Sequence, residues 1–133
     1  VFRPIFNLKK LNLAYNRFVY LNSTLFKHFS QLIELSFAHN QIKYIERNTF
    51  SSNSFASLKI LNLKSNYLEY LDEHLFDSLR NLQKLELDDN RLVLNNFHPN
   101  LTTTVIFCLR NLNYLNICNQ KNNQNIDLMR TVM

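Results

Sequence analysis

Apolar and polar positions alternate along this chain in a phrase that returns four times. Leu8, Leu11, Leu13, Asn16 and Phe18 make the first copy, and Leu32, Leu35, Phe37, Asn40 and Ile42 the second. Leu58, Leu61, Leu63, Asn66 and Leu68 make the third, and Leu82, Leu85, Leu87, Asn90 and Leu92 the fourth. Successive opening leucines are 24, 26 and 24 residues apart. Within each phrase the alternation has the period of two that an extended strand imposes, so Leu11 and Leu13, or Leu61 and Leu63, face one side. The asparagine follows where the chain must leave the strand, and its amide can both donate to and accept from turn backbone. Asn16, Asn40, Asn66 and Asn90 are therefore read as structural.

The spacers repeat as well. Phe2, Phe26 and Phe76 stand six residues before an opening leucine, with Phe50 displaced by a two-residue insertion, and Ile5, Phe29, Phe55 and Leu79 stand three before. Leu21, Ile45 and Leu71 complete a unit of strand, asparagine turn, apolar return and aromatic. One unit cannot bury its apolar side alone, whereas stacked units join their leucines into a continuous core and pair their strands into a parallel sheet. Phe26, Phe50 and Phe76 should then stack along the opposite, convex side. A fifth strand is expected at Leu112, Leu115 and Ile117, with Ile106 and Leu109 in place of the aromatic and its follower. The step from Leu82 is 30 residues and Gln120 stands where the asparagine belongs, so this copy is irregular or a cap. The expected organisation is a single domain over 1–133, with repeats 8–31, 32–57, 58–81 and 82–111 and the irregular fifth or cap over 112–133.

On these residues the chain resembles the leucine-rich repeat family, whose repeats run to roughly 20 to 29 residues. The resemblance is to its typical 24-residue class, with a phenylalanine in the returning segment. It implies an α/β repeat fold: a horseshoe solenoid with short parallel strands on the concave face and irregular or short helical segments on the convex face. That class is most familiar from animal extracellular proteins such as Toll-like receptor ectodomains and related secreted immune proteins. An extracellular or cell-surface location is thus implied by the resemblance.

Composition adapts this picture without changing it. Hydrophobic residues make up 46% of the chain and glycine is absent. Asparagine tolerates left-handed backbone, so asparagines are expected at the turn positions glycine usually fills. Phe2 and Ile5 fit the tail of an earlier repeat, which suggests a fragment of a longer protein, or an apolar edge through which copies could associate. No run of about 18 apolar residues is present to span a bilayer. Cys108 and Cys118 flank the fifth strand, and ten extended residues separate their positions by about 30 Å, too far for a disulfide. Asn22 and Asn100 open N-glycosylation triplets, about as many as the 21 asparagines would produce by chance.

Core positions being committed to packing, function is sought among outward positions of the sheet. These are Lys10, Asn12 and Ala14; Glu34, Ser36 and Ala38; Ile60, Asn62 and Lys64; and Lys84, Glu86 and Asp88, with Tyr15, His39, Ser65 and Asp89 just beyond. The mixture suits a non-obligate protein interface. Residues 1–48 carry seven Lys and Arg against two Asp and Glu, while 67–91 carry three against seven. The basic residues scatter instead of forming a stripe with stacking aromatics, which disfavours nucleic acid. Glu86, Asp88 and Asp89 lack the shaped loop of a cation site. His39, Ser65 and Asp89 share a column, yet serine would stand between histidine and aspartate, the wrong order for a catalytic relay. No phosphate loop, CxxC pair or HExxH motif implies a cofactor. The sequence thus predicts a non-enzymatic module binding a protein ligand or co-receptor through its concave face. The alternatives are a structural spacer or oligomerisation segment, and a cytosolic scaffold.

Overall fold

A computed structural model of the chain describes residues 7–27, 29–51, 53–92 and 109–118. Its main sheet has five parallel strands: β1 (Lys10–Asn12), β3 (Glu34–Ser36), β5 (Ile60–Asn62), β6 (Lys84–Glu86) and β7 (Tyr114–Asn116), adjacent in that order. Register follows the repeat: Leu11 pairs with Leu35, Leu35 with Leu61, Leu61 with Leu85 and Leu85 with Leu115. The fifth strand stands where the alternation predicts it. A second parallel pair, β2 (Tyr20–Leu21) and β4 (Tyr44–Ile45), forms on the segment leaving the asparagine turn.

The inward leucines build the core. Leu35, Phe37, Leu61, Leu63, Leu85 and Leu87 are buried, whereas Leu11 and Leu13 of the first described coil are half-buried. On the convex side Phe50 stacks between Phe26 and Phe76, with centroids 6.4 and 6.0 Å away. Phe55 meets Phe26 and Phe50 edge-on, at 5.3 and 5.2 Å. The two-residue insertion therefore leaves Phe50 in its column, with Phe55 packing on it from the regular position three before Leu58. Each such phenylalanine contributes roughly 1.5 to 3 kcal/mol by its burial. Among the described residues the helical segments are 3₁₀ turns at Ser23–Phe26 and Asn53–Phe55. The first is capped by Asn22, whose Oδ1 accepts from Thr24 N.

The asparagines tie coil to coil. Asn66 Nδ2 donates to the carbonyls of Leu63 and Lys64 in its own coil and of Phe37 in the preceding one, while its Oδ1 accepts from Ile42 N at 3.0 Å. Asn40 makes the same set with Leu13, Phe37, Ala38 and Phe18. Asn90 does so with Leu63, Leu87, Asp88 and Leu68. The left-handed positions, however, are not the asparagines. They are the residues immediately before them: Tyr15, His39, Ser65 and Asp89, with φ between 53 and 59°. That bend turns two successive carbonyls toward one asparagine amide. The N–H at the bend still pairs with the next coil, as Ser65 N does with Asp88 O at 2.9 Å. Four non-glycine residues accept left-handed backbone because stacking holds them there.

Candidate functional site

The concave sheet presents a shallow depression of about 440 Å³, lined by Lys10, Asn12, Glu34, Ser36, Ile60, Asn62, Lys84 and Glu86 above Leu11 and Leu35. Strand alternation turns these side chains out as it turns the leucines in. Ion pairs settle most of the charge. Lys10 meets Glu34 at 2.7 Å and Lys84 meets Glu86 at 2.9 Å. The hydrogen bond to Glu86 holds Lys84 above the ordinary lysine pKa, and its Nζ lies 5.0 Å from the centre of the Tyr114 ring.

The middle of the face is polar and locally fixed. Asn12 Oδ1 accepts from Ala14 N at 2.9 Å, Asn62 Oδ1 from Lys64 N at 2.9 Å and Asn116 Oδ1 from Cys118 N at 3.2 Å. Ser36 Oγ accepts weakly from Ala38 N. Asn12 and Asn62 thus have their oxygens engaged, and among the described residues their amide nitrogens make no hydrogen bond within the chain. Asn12, Ser36, Asn62 and Asn116 are thus pinned by the backbone two residues on, with Glu86 in the same column between Asn62 and Asn116.

Asp88 requires a correction. The alternation puts it outward with Lys84 and Glu86, but it is 3% exposed. Its Oδ2 lies 2.9 Å from Lys64 Nζ, and its Oδ1 is buried with no hydrogen-bond partner among the described residues. The ammonium of Lys64 covers it, and the hydrogen bond to Asp88 raises the lysine's pKa. Asp88 therefore supports Lys64 and does not offer itself to a partner. Ala38 is buried as well.

The column beyond the strands divides into two pairs. Tyr15 and His39 stack face to face, 4.5 Å apart and within 6° of parallel. Ser65 Oγ donates to Asp89 Oδ2 at 2.8 Å. Serine thus engages aspartate while the imidazole lies against tyrosine, and no relay passes through the histidine. No group of three or more His, Cys, Asp or Glu suited to a metal ion occurs among the described residues. None of their helices is long and apolar enough to cross a membrane. Asn100 and Cys108 lie outside the described residues.

Sequence reasoning left two sets of outward residues unassigned. Tyr114 and Asn116 complete the concave rows, since Lys84 pairs with Tyr114 and Glu86 with Asn116; the irregular 30-residue step obscured them. Tyr20, Tyr44 and Tyr70 each precede a buried residue, Leu21, Ile45 and Leu71. That spacing is visible in the sequence once the column of buried residues is taken as a register.

Comparison with known proteins agrees with this geometry. The leucine rich repeat family matches residues 6–54 and 51–92. The chain is 35% identical over 94 residues to the CD180 antigen of Mus musculus, a match covering 71% of this chain and 14% of that protein. It is also similar to the crystal structure of an internalin from Listeria monocytogenes, with a TM-score of 0.60 and 27% identity, covering 84% of this chain and 30% of the other. The fold and the match together define a protein of stacked, recognition-type repeats. The chain belongs to the leucine rich repeat family and has an immune-type relative, while spanning less than a third of either protein's length.

Proposed function

We propose that this chain is a non-enzymatic recognition module that binds a protein ligand or co-receptor on its concave sheet, as part of an extracellular or cell-surface immune-type receptor. The observation that carries it is the pinned column of Asn12, Ser36, Asn62 and Asn116, held by backbone two residues on. Side chains fixed before binding lose less freedom when a partner docks. The amide nitrogens of the asparagines suit carbonyl groups, and Ile60, half-buried at the centre, supplies apolar contact. Lys10, Glu34, Lys64, Lys84 and Glu86 form the charged rim, with Tyr15, His39 and Asp89 at its edge. The relationship to the CD180 antigen supports the receptor setting. A cytosolic scaffold would present the same sheet, and occupancy of Asn22 by a glycan in the native protein separates the two settings.

A photo-crosslinking side chain at Asn62, compared with one at the convex Lys27, tests the site on cells bearing candidate partners. The expected result is a discrete crosslinked protein from position 62 and none from 27. Equal capture from both positions would remove the concave face from the mechanism.

A further inference from the structure

Most of the exposed large apolar side chains are not on the concave sheet. Val19, Tyr20, Tyr44 and Tyr70, 43 to 51% exposed, gather on the flank that leads away from the asparagine turns. Pairing of β2 with β4 sets Tyr20 directly beside Tyr44, and their rings stack 5.6 Å apart within 3° of parallel. Leu21 and Ile45, buried one residue later, fix the backbone beneath them. The platform is therefore ordered before anything binds it.

Its charge is uneven. Arg17 and Lys43 are exposed on this flank, and no ion pair among the described residues involves either. Other cations meet acids of the third repeat: Arg47 with Asp72 at 3.6 Å and Arg91 with Glu69 at 4.0 Å. The acid nearest Tyr20, Glu46, accepts from Ser23 N at 3.1 Å. Burial first, then the charge of Glu46 and the neighbouring Tyr44, raise the Tyr20 pKa. Two exposed cations thus stand in the segments that lead into a stacked aromatic pair, and Lys43 N donates to Val19 O to hold those segments side by side.

We propose that Arg17, Val19, Tyr20, Lys43 and Tyr44 form a second docking surface, and that it takes an acidic, extended segment of another protein. Carboxylates of that segment pair with Arg17 and Lys43 and accept from the tyrosine hydroxyls, while its apolar or proline side chains rest on Val19 and the exposed edges of the rings. A nucleic acid or sulfated glycan is a poorer fit. One face of each tyrosine is taken by the other ring, and two cations do not make a continuous cationic track.

The test uses the full chain and a fluorescent twelve-residue peptide of alternating glutamate and proline, followed by anisotropy at low and high salt. Binding should weaken at high salt, because exposed charges are screened. Lys43→Glu should lower affinity about tenfold or more, equivalent to about 1.4 kcal/mol. Lys27→Glu, the same charge change on the convex side, should lower it less than about twofold, within what remote surface charge does. Tyr20→Ala with Tyr44→Ala should abolish binding, and Tyr20→Phe with Tyr44→Phe should retain part of it in a protein whose rings still stack. Absence of peptide binding, equal loss from Lys27→Glu and Lys43→Glu, or displacement of the peptide by heparin at lower concentration than by unlabelled peptide would overturn the proposal. Because the probe is a defined peptide, this outcome is independent of the concave-face crosslinking result.

Discussion

Asn16 and Asn66 occupy the same place in the repeat, yet their surroundings differ sharply. Asn66 is fully buried and bonds to two coils at once. Asn16 is exposed and, among the described residues, donates to Leu13 and Ala14 of its own coil. The same contrast holds for the leucines: Leu61 and Leu63 are sealed between neighbouring coils, while Leu11 and Leu13 remain half-buried. Stability in such a stack is the sum of what each unit contributes and what each interface between units adds. An asparagine's contribution therefore depends on how many coils its amide joins, more than on its chemistry.

The largest expected effect tests that dependence directly. Asn66→Ala should destabilise by about 1 to 3 kcal/mol, because it strands buried backbone groups. Asn16→Ala should stay within about 0.5 kcal/mol, as surface changes usually do. The two urea midpoints compare them, and equal shifts would dissolve the distinction between an asparagine that joins two coils and one that bonds within its own. Ser65→Val should cost about 1 to 2 kcal/mol by forcing a β-branched residue into left-handed backbone. Ser65→Gly should cost less, since relief at the bend offsets the lost bond to Asp89. A valine as well tolerated as glycine in thermal melts would show that the bend is not held. This cost is local to one coil, unlike that of Asn66.

The smallest effect concerns pH. Lys64 and Lys84 have pKa values raised above 10.5 by hydrogen bonds to Asp88 and Glu86. A raised folded pKa means the stabilisation is complete below the unfolded value and is lost as pH climbs through the folded one. Stability should hold through neutral pH and fall in the alkaline limb above that ordinary value. Asp88→Ala should flatten the limb, measured as the change in urea midpoint with pH; an unchanged limb would show that the Lys64 to Asp88 pair contributes nothing there.

The repeat, the five-strand sheet and the phenylalanine column were legible because each is a consequence of local alternation and spacing. The register of Leu11, Leu35, Leu61, Leu85 and Leu115 follows from counting. The candidate site was legible only as a list of outward positions. Asp88 satisfies the alternation and is nonetheless buried, because Lys64 from the preceding coil folds over it. No pattern within one coil contains that information.

The left-handed bends tell the same story. Absence of glycine implied that another residue takes those positions, and asparagine was the natural candidate by intrinsic preference. In the folded stack the asparagine must instead aim its amide at carbonyls of two coils, so the bend falls one residue earlier, on tyrosine, histidine, serine and aspartate alike. Periodic leucines alone determined that coils would stack, since no single coil can cover its apolar side. Which polar groups are sealed, which tyrosines stand stacked on the flank and which cations face solvent were decided by contacts across coils, where sequence distance and spatial distance part company.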